Sequence, residues 1–149
     1  MISASALIAL LDLTTLNDND TVASVRQFAA QCLTPVGPVA CVCVDPLFVV
    51  AIAPDVVRIG VRVATGINFP DGEEAQSTSE VSIKRAIADG AHEIDVVMPR
   101  SSFLQGDDQQ AQDFLRGCRA ACGNDVLMKV ILETGALSTA DQITRAAQI

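Results

Sequence analysis

The sequence is short of positive charge. Ten lysines and arginines stand against eighteen acidic residues, which leaves a formal charge of -8 and a sequence pI near 4.4. Phosphate backbones and anionic membranes repel such a chain at long range, so nucleic-acid and membrane partners are excluded. A small anionic ligand would need a local positive site. The first basic residue is Arg26, so the apolar start at 2–11 lacks the charged segment of a secretory signal and is too short to span a bilayer. A cytoplasmic protein is expected. The five cysteines (Cys32, Cys41, Cys43, Cys118, Cys122) are an odd number and lack the histidine or second cysteine pair of a zinc site, so reduced thiols in a core are expected. The single histidine, His92, follows Gly90 and Ala91 after a predicted helix, where it reads as a helix-terminus residue rather than a catalytic one. The dinucleotide and P-loop glycine fingerprints are absent, as are linkers and low-complexity segments.

What is present is a chain that is half apolar and 19% charged, the composition of one globular domain over 1–149. Short runs rich in β-branched residues alternate with longer runs of helical period, and Gly, Pro, Asn or Asp marks each switch. Strands are expected at 11–13, 39–44, 58–65, 93–98 and 126–132, and helices at 4–10, 20–33, 46–53, 77–89, 107–122 and 138–149. Asp20 and Ser77 are candidate N-caps, Ser77 with Glu80 three residues on. Pro46 suits a first turn, and Gly90 and Gly123 suit helix ends. Runs such as VACVCV and VLMKVIL are apolar on both faces, which fits a parallel sheet covered by helices. The class is α/β. The pattern alone leaves open a doubly wound sheet or the first part of an eight-stranded barrel, with the missing fingerprints favouring the barrel.

In either architecture ligands sit beyond the carboxyl ends of the strands, which draws attention to Asp12, Thr14 and Thr15, to Asn68, to Asp95, and to Lys129 with Glu133. Asp95 lies between Ile94 and Val96, where an unpaired carboxylate is expensive to bury, so it has a cationic partner or a proton-transfer task. Both readings stay open. Lys129 poses the same question with opposite sign, and an Asp95 to Lys129 pair between adjacent strands is geometrically reasonable. Thr14 and Thr15 suit a hydroxylated ligand, although threonines at strand ends more commonly bond their own turn. Asn68 to Gly72 reads as a turn and is silent as chemistry. Cys41 and Cys43 share one face of a strand and read as small buried groups rather than nucleophiles.

The segments LLDLTTLNDND, TPVGPVACVCVDP, VRVATGINFPDG, ADGAHEIDVVMPR and LMKVILETG, taken in order, resemble successive strand motifs of the deoxyribose-phosphate aldolases, and the resemblance runs over 10–149. It implies a (β/α)8 TIM barrel, here incomplete with about five parallel strands. It also implies class I aldolase chemistry without metal or organic cofactor, cleaving 2-deoxy-D-ribose 5-phosphate to acetaldehyde and D-glyceraldehyde 3-phosphate in deoxyribonucleotide catabolism. By motif Asp95 is the proton donor and acceptor, and Asp12, Thr14, Cys43 and Lys129 line the site. Sugar phosphate and aldehydes are the implied ligands. Asp45, before Pro46, departs from the bulkier apolar or aromatic residue of related sequences.

The family's imine-forming lysine lies on the sixth strand and its relay lysine on the seventh, whereas the lysines of this chain are Lys84 and Lys129. Lys84 belongs to an amphipathic helix and is expected to be solvated. An imine-forming amine must be partly neutral, and Asp95, Glu133 and Asp12 would hold Lys129 charged, so it reads as electrostatic support. The chain alone is therefore expected to be inactive and to need a partner, either itself or a C-terminal half-barrel, because five strands leave two unpaired edges. The alternatives are a catalytically inactive half-barrel interaction protein and an open-sheet small-molecule binding module.

Overall fold

The computed structural model describes residues 2–149. In chain order the elements are α1 Ala4–Ile8, β1 Asp12–Thr14, α2 Val22–Ala29, β2 Leu33–Thr34, β3 Gly37–Pro38, β4 Cys41–Val44, α3 Val49–Arg58, β5 Arg62–Ile67, α4 Gln76–Ala88, β6 Glu93–Val97, α5 Arg100–Leu104, α6 Asp108–Cys122, β7 Leu127–Ile131 and α7 Ala140–Ala146. Five strands form one sheet in the order β1-β4-β5-β6-β7, while β2 and β3 make a small separate hairpin. The pairs β1 with β4 and β4 with β5 are parallel. The sheet does not close, and β1 and β7 are its edges. This is the α/β arrangement of a sheet and covering helices that the repeating pattern predicts.

Two compact units divide the chain. The first runs to Thr65 and takes in Ala86–Glu93; the second comprises Gly66–Arg85 and Ile94–Ile149. In the first unit the whole of β4 is buried, and Val25 of α2 and Ile52 and Val56 of α3 are nearly inaccessible. Fully burying a valine or isoleucine is worth about 1.5–3 kcal/mol, so these rows hold the unit together. Helices α2 and α3 pack together, and Arg26 Nε donates to the Ala51 carbonyl at 3.0 Å. In the second unit the buried set includes Ile83, Ile94, Val96, Met98 and Phe103. There α7 is tied back by Arg145, whose guanidinium lies 4.3 Å from the Phe103 ring centroid and 3.2 Å from Asp108 Oδ2.

Several local expectations need correction. Asp20 is not the cap of α2. Thr21 takes that position with Ser24 in a reciprocal capping box, while Asp20 accepts from Thr15 Oγ1 at 2.7 Å and from the Asn17 amide at 3.1 Å. Ser77 lies inside α4 rather than before it. The helix expected to stop at 53 instead begins with a 3-10 turn, Pro46–Phe48, and continues through Pro54 to Arg58. A proline in a helix forfeits one backbone bond, and Pro54 lies on the exposed side of α3. Strand β5 accordingly begins at Arg62 rather than 58. The β2–β3 hairpin and α5 carried no periodic signal, being too short to show one. Asp45 turns out to be a cap: its Oδ1 accepts from the Leu47 amide at 2.9 Å, which accounts for a small polar residue before Pro46.

Candidate active site

The second unit brings two of the expected residues together. Asp95 sits mid-β6 and Lys129 mid-β7, and Lys129 Nζ lies 3.2 Å from Asp95 Oδ1. The aspartate side chain is 16% exposed and the lysine 34%, so the pair is sheltered without being sealed from water. Strand alternation explains why the charges face one way, since Ile94 and Val96 point to the other, buried side of β6. A carboxylate and an ammonium at this distance stabilise each other's charged forms.

Beyond the carboxyl ends of β6 and β7 the backbone is held at several points. Asn68 is buried and has φ +60°; its Nδ2 donates to the Val97 carbonyl and its Oδ1 accepts from the Glu74 amide, both at 2.7 Å. Gly72, at φ +75°, passes so close that a Cβ there would lie 2.5 Å from the Met98 carbonyl. Here glycine is required by both conformation and space. The Met98 amide donates to the Ile131 carbonyl at 3.2 Å, and Arg100 pairs with Glu133. Glu133 itself is left-handed, at φ +53°. The two non-glycine residues with positive φ among those described, Asn68 and Glu133, thus fasten the same short segment, Val97 to Arg100. Strain of about 1–3 kcal/mol at such a residue persists only when its surroundings hold it. Sequence reading treated Asn68 as silent and overlooked Arg100; the available signal was an arginine three residues past the strand's last valine, Val97.

The first unit places the others. Asp12 opens β1, and Thr14 closes it. The register sets Asp12 beside Cys41 and Cys41 beside Arg62, then Thr14 beside Cys43 and Cys43 beside Ala64, so these residues share one face. Asp12, Cys41 and Glu93 offer ligand atoms within 4.8 Å of one another. Each of Asp12, Cys41, Arg62 and Glu93 is the first residue of its strand, so the cluster lies at the amino ends. Arg62 Nη1 is 3.3 Å from Glu93 Oε1 and already supplies positive charge there, which makes the group a poor host for a cation. Cys41, Cys43 and Ala64 form a buried apolar cluster.

Thr15 is buried and serves the turn, donating to Asp20 and accepting from Asn17 Nδ2 at 2.9 Å. The Thr15 hydroxyl and other local donors lower the Asp20 pKa. His92 does not sit on a helix terminus: its amide donates to the Val63 carbonyl at 2.8 Å and its Nδ1 accepts from the Val63 amide at 3.4 Å, which ties it to β5. Lys84 is exposed on α4. None of the five cysteines is in a disulfide, and all are buried. Burial, with the charges of Cys122, Glu80 and Glu74 adding to it, pushes the Cys118 thiol up to about 12. Burial likewise raises Cys32 and Cys122. No helix among the described residues is long and apolar enough to cross a membrane.

The chain is similar in structure to a Coccidioides immitis chain named as a deoxyribose-phosphate aldolase, at 28% identity with a TM-score of 0.88, covering 97% of this chain and 55% of that one. A Toxoplasma gondii chain named in the same way matches at 25% identity and a TM-score of 0.85, over 95% of this chain and 55% of that one. The deoxyribose phosphate aldolase of Aeropyrum pernix, described as having a unique tetrameric structure, shares the fold at 23% identity and a TM-score of 0.76, over 97% and 62%. The chain thus spans little more than half the length of these relatives. The family model for DeoC/LacD family aldolase matches residues 6–148, nearly the full length, and the chain belongs to that aldolase family.

Proposed function

We propose that this chain supplies part of the active site of a class I aldolase that cleaves 2-deoxy-D-ribose 5-phosphate to acetaldehyde and D-glyceraldehyde 3-phosphate. The observation that carries this reading is the Asp95–Lys129 pair, which stands on adjacent strands of a DeoC-family fold with both charges on one face. In imine chemistry an amine condenses with the carbonyl, the C–C bond breaks to leave an enamine, and a proton is then added at carbon. Asp95 is the group in this chain suited to exchange that proton, directly or through water, because its carboxylate is held in place and still meets solvent.

On this reading Lys129 is not the imine-forming amine. Its carboxylate neighbour keeps it protonated, and a protonated amine has no lone pair with which to attack a carbonyl. Lys129 instead keeps Asp95 ionised and adds positive charge where a phosphorylated aldehyde is handled. Lys84 is exposed on a helix and has no such setting. The second unit therefore provides proton transfer and site lining through Asp95 and Lys129, and the nucleophilic amine is neither Lys84 nor Lys129. The open edges at β1 and β7 favour a companion reading in which further strands, from a C-terminal half-barrel or another copy, pair with them.

The test is borohydride reduction of the chain in the presence of acetaldehyde, followed by intact mass and peptide mapping. No selective adduct is expected. Rapid, selective labelling of Lys129 would overturn this division of labour. In a closed, active barrel that contains this chain, Asp95→Asn should lower retro-aldol turnover by roughly 100-fold or more while the fold is kept. Unchanged turnover would remove Asp95 from the chemistry.

A further inference from the structure

Within the first unit, helices α2 and α3 pack together and leave a groove of about 390 Å³ between them. Its lining is apolar at Ala29, Cys32, Ile52 and Val56, all nearly inaccessible. Ile59, which is 43% exposed, extends that lining to the surface. The charged walls are Arg26, from the last turn of α2, and Asp55 and Arg58, from the end of α3. Arg26 is held in place, because its Nε donates to the Ala51 carbonyl at 3.0 Å. Among the described residues its two Nη groups have no hydrogen-bond partner. Arg58 and Asp55 stand 3.8 Å apart, beyond hydrogen-bond distance and largely in solvent, so Arg58 keeps its donors as well.

We propose that this groove is a binding site for a small amphipathic anion, a carboxylate carried on a short alkyl or aryl tail. The volume lies at the lower end of the range of about 300–1,000 Å³ in which small-molecule sites fall, which fits a ligand of that size. The apolar lining supplies the surface on which such a tail leaves water. Charge selects the head. A guanidinium offers paired N–H donors that match a carboxylate, and Arg26 is already fixed through Nε with its Nη donors left over, so little side-chain freedom is lost when an anion arrives. Two arginines against one aspartate make the groove locally positive in a chain of charge -8, so an anion repelled by the chain as a whole is attracted here. Arg58 and Ile59 lead toward β5 at its amino end, and no lining residue is among those proposed for aldolase chemistry, so the site stands or falls apart from that reading.

Isothermal titration calorimetry of the full chain with octanoate provides the test, with octylamine and 1-octanol as probes that carry the same tail. Octanoate should bind saturably with a Kd below about 1 mM, and the cation and the alcohol should bind at least about tenfold more weakly. Arg26→Gln should weaken octanoate by at least about tenfold. Arg26→Lys should recover part of that loss, because the charge returns without the fork. Arg26 also holds the Ala51 carbonyl, so a second variant leaves it in place. Arg58→Gln with Ile59→Glu changes only exposed positions and should abolish saturable binding with the far-UV circular dichroism unchanged. A chain that shows no saturation, equal affinity for octylamine or 1-octanol, or octanoate binding indifferent to both sets of substitutions would each overturn the proposal.

Discussion

Lys129 Nζ lies 3.2 Å from Asp95 Oδ1, and each residue stands in the middle of its strand among apolar neighbours. Removing either partner takes this counter-ion from the other charge in a site that is only partly wet. Asp95→Asn is therefore expected to destabilise the fold by about 1–2 kcal/mol, below the 3–5 kcal/mol of a sealed pair because Lys129 reaches solvent. Asp95→Asn combined with Lys129→Met should recover part of that loss. Urea unfolding of the four proteins measures the coupling, and purely additive effects would mean that the pair contributes nothing to stability.

Glu133 adopts a left-handed backbone with φ +53° while its carboxylate pairs with Arg100. Both Glu133→Ala and Glu133→Gly remove the ion pair, so their difference isolates the backbone. The usual order reverses at such a position: the glycine variant should be more stable than the alanine variant by about 0.5–1 kcal/mol, because only alanine keeps a Cβ that clashes there. Equal unfolding midpoints, or alanine above glycine, would show that the left-handed conformation is not held in solution.

The Asp20 pKa is lowered in the folded state by bonds from Thr15, Asn17 and Ser24. A depressed carboxylate contributes stability that is fully present above its unfolded value near 3.8 and is lost as pH falls through the folded value. Asp20→Asn should therefore flatten the acid limb of a stability curve below about pH 4, while the shape of the curve above pH 5 is kept. Chemical unfolding midpoints measured across that range decide the matter, and an unchanged acid limb would remove Asp20 from the titration.

Burial raises the Cys118 thiol to about 12, so almost none of it is thiolate at pH 8. Iodoacetamide should leave Cys118 unmodified in the folded chain and label it at the rate of global opening, accelerating in urea in step with the loss of circular dichroism. Fast labelling under native conditions would mean that α6 opens locally.

The α/β class could be read without coordinates because it is a property of local pattern. CVCV is buried at every position, and so had to be a strand covered on both faces; Val25 and Ala29, and again Ile52 and Val56, stand four apart, and so had to be helix faces turned inward. The pairing of Asp95 with Lys129 was also open to inference, since an apolar strand interior does not keep a lone charge. What the pattern could not determine was anything set by a contact distant in the chain. Asn68 looked like any turn residue, and only the approach of the Val97 carbonyl, 29 positions away, makes it a fastening. His92 read as a helix-end residue until β5 came alongside. Arg100 had no partner in view until β7 brought Glu133 to it. Sequence by itself determined which side chains prefer to be buried and at what period, because solvation and local backbone energy act on each residue where it stands. Only the tertiary structure decided which polar groups meet, because a hydrogen bond depends on a partner's position to within a fraction of an ångström, and that position is set by how the strands are paired.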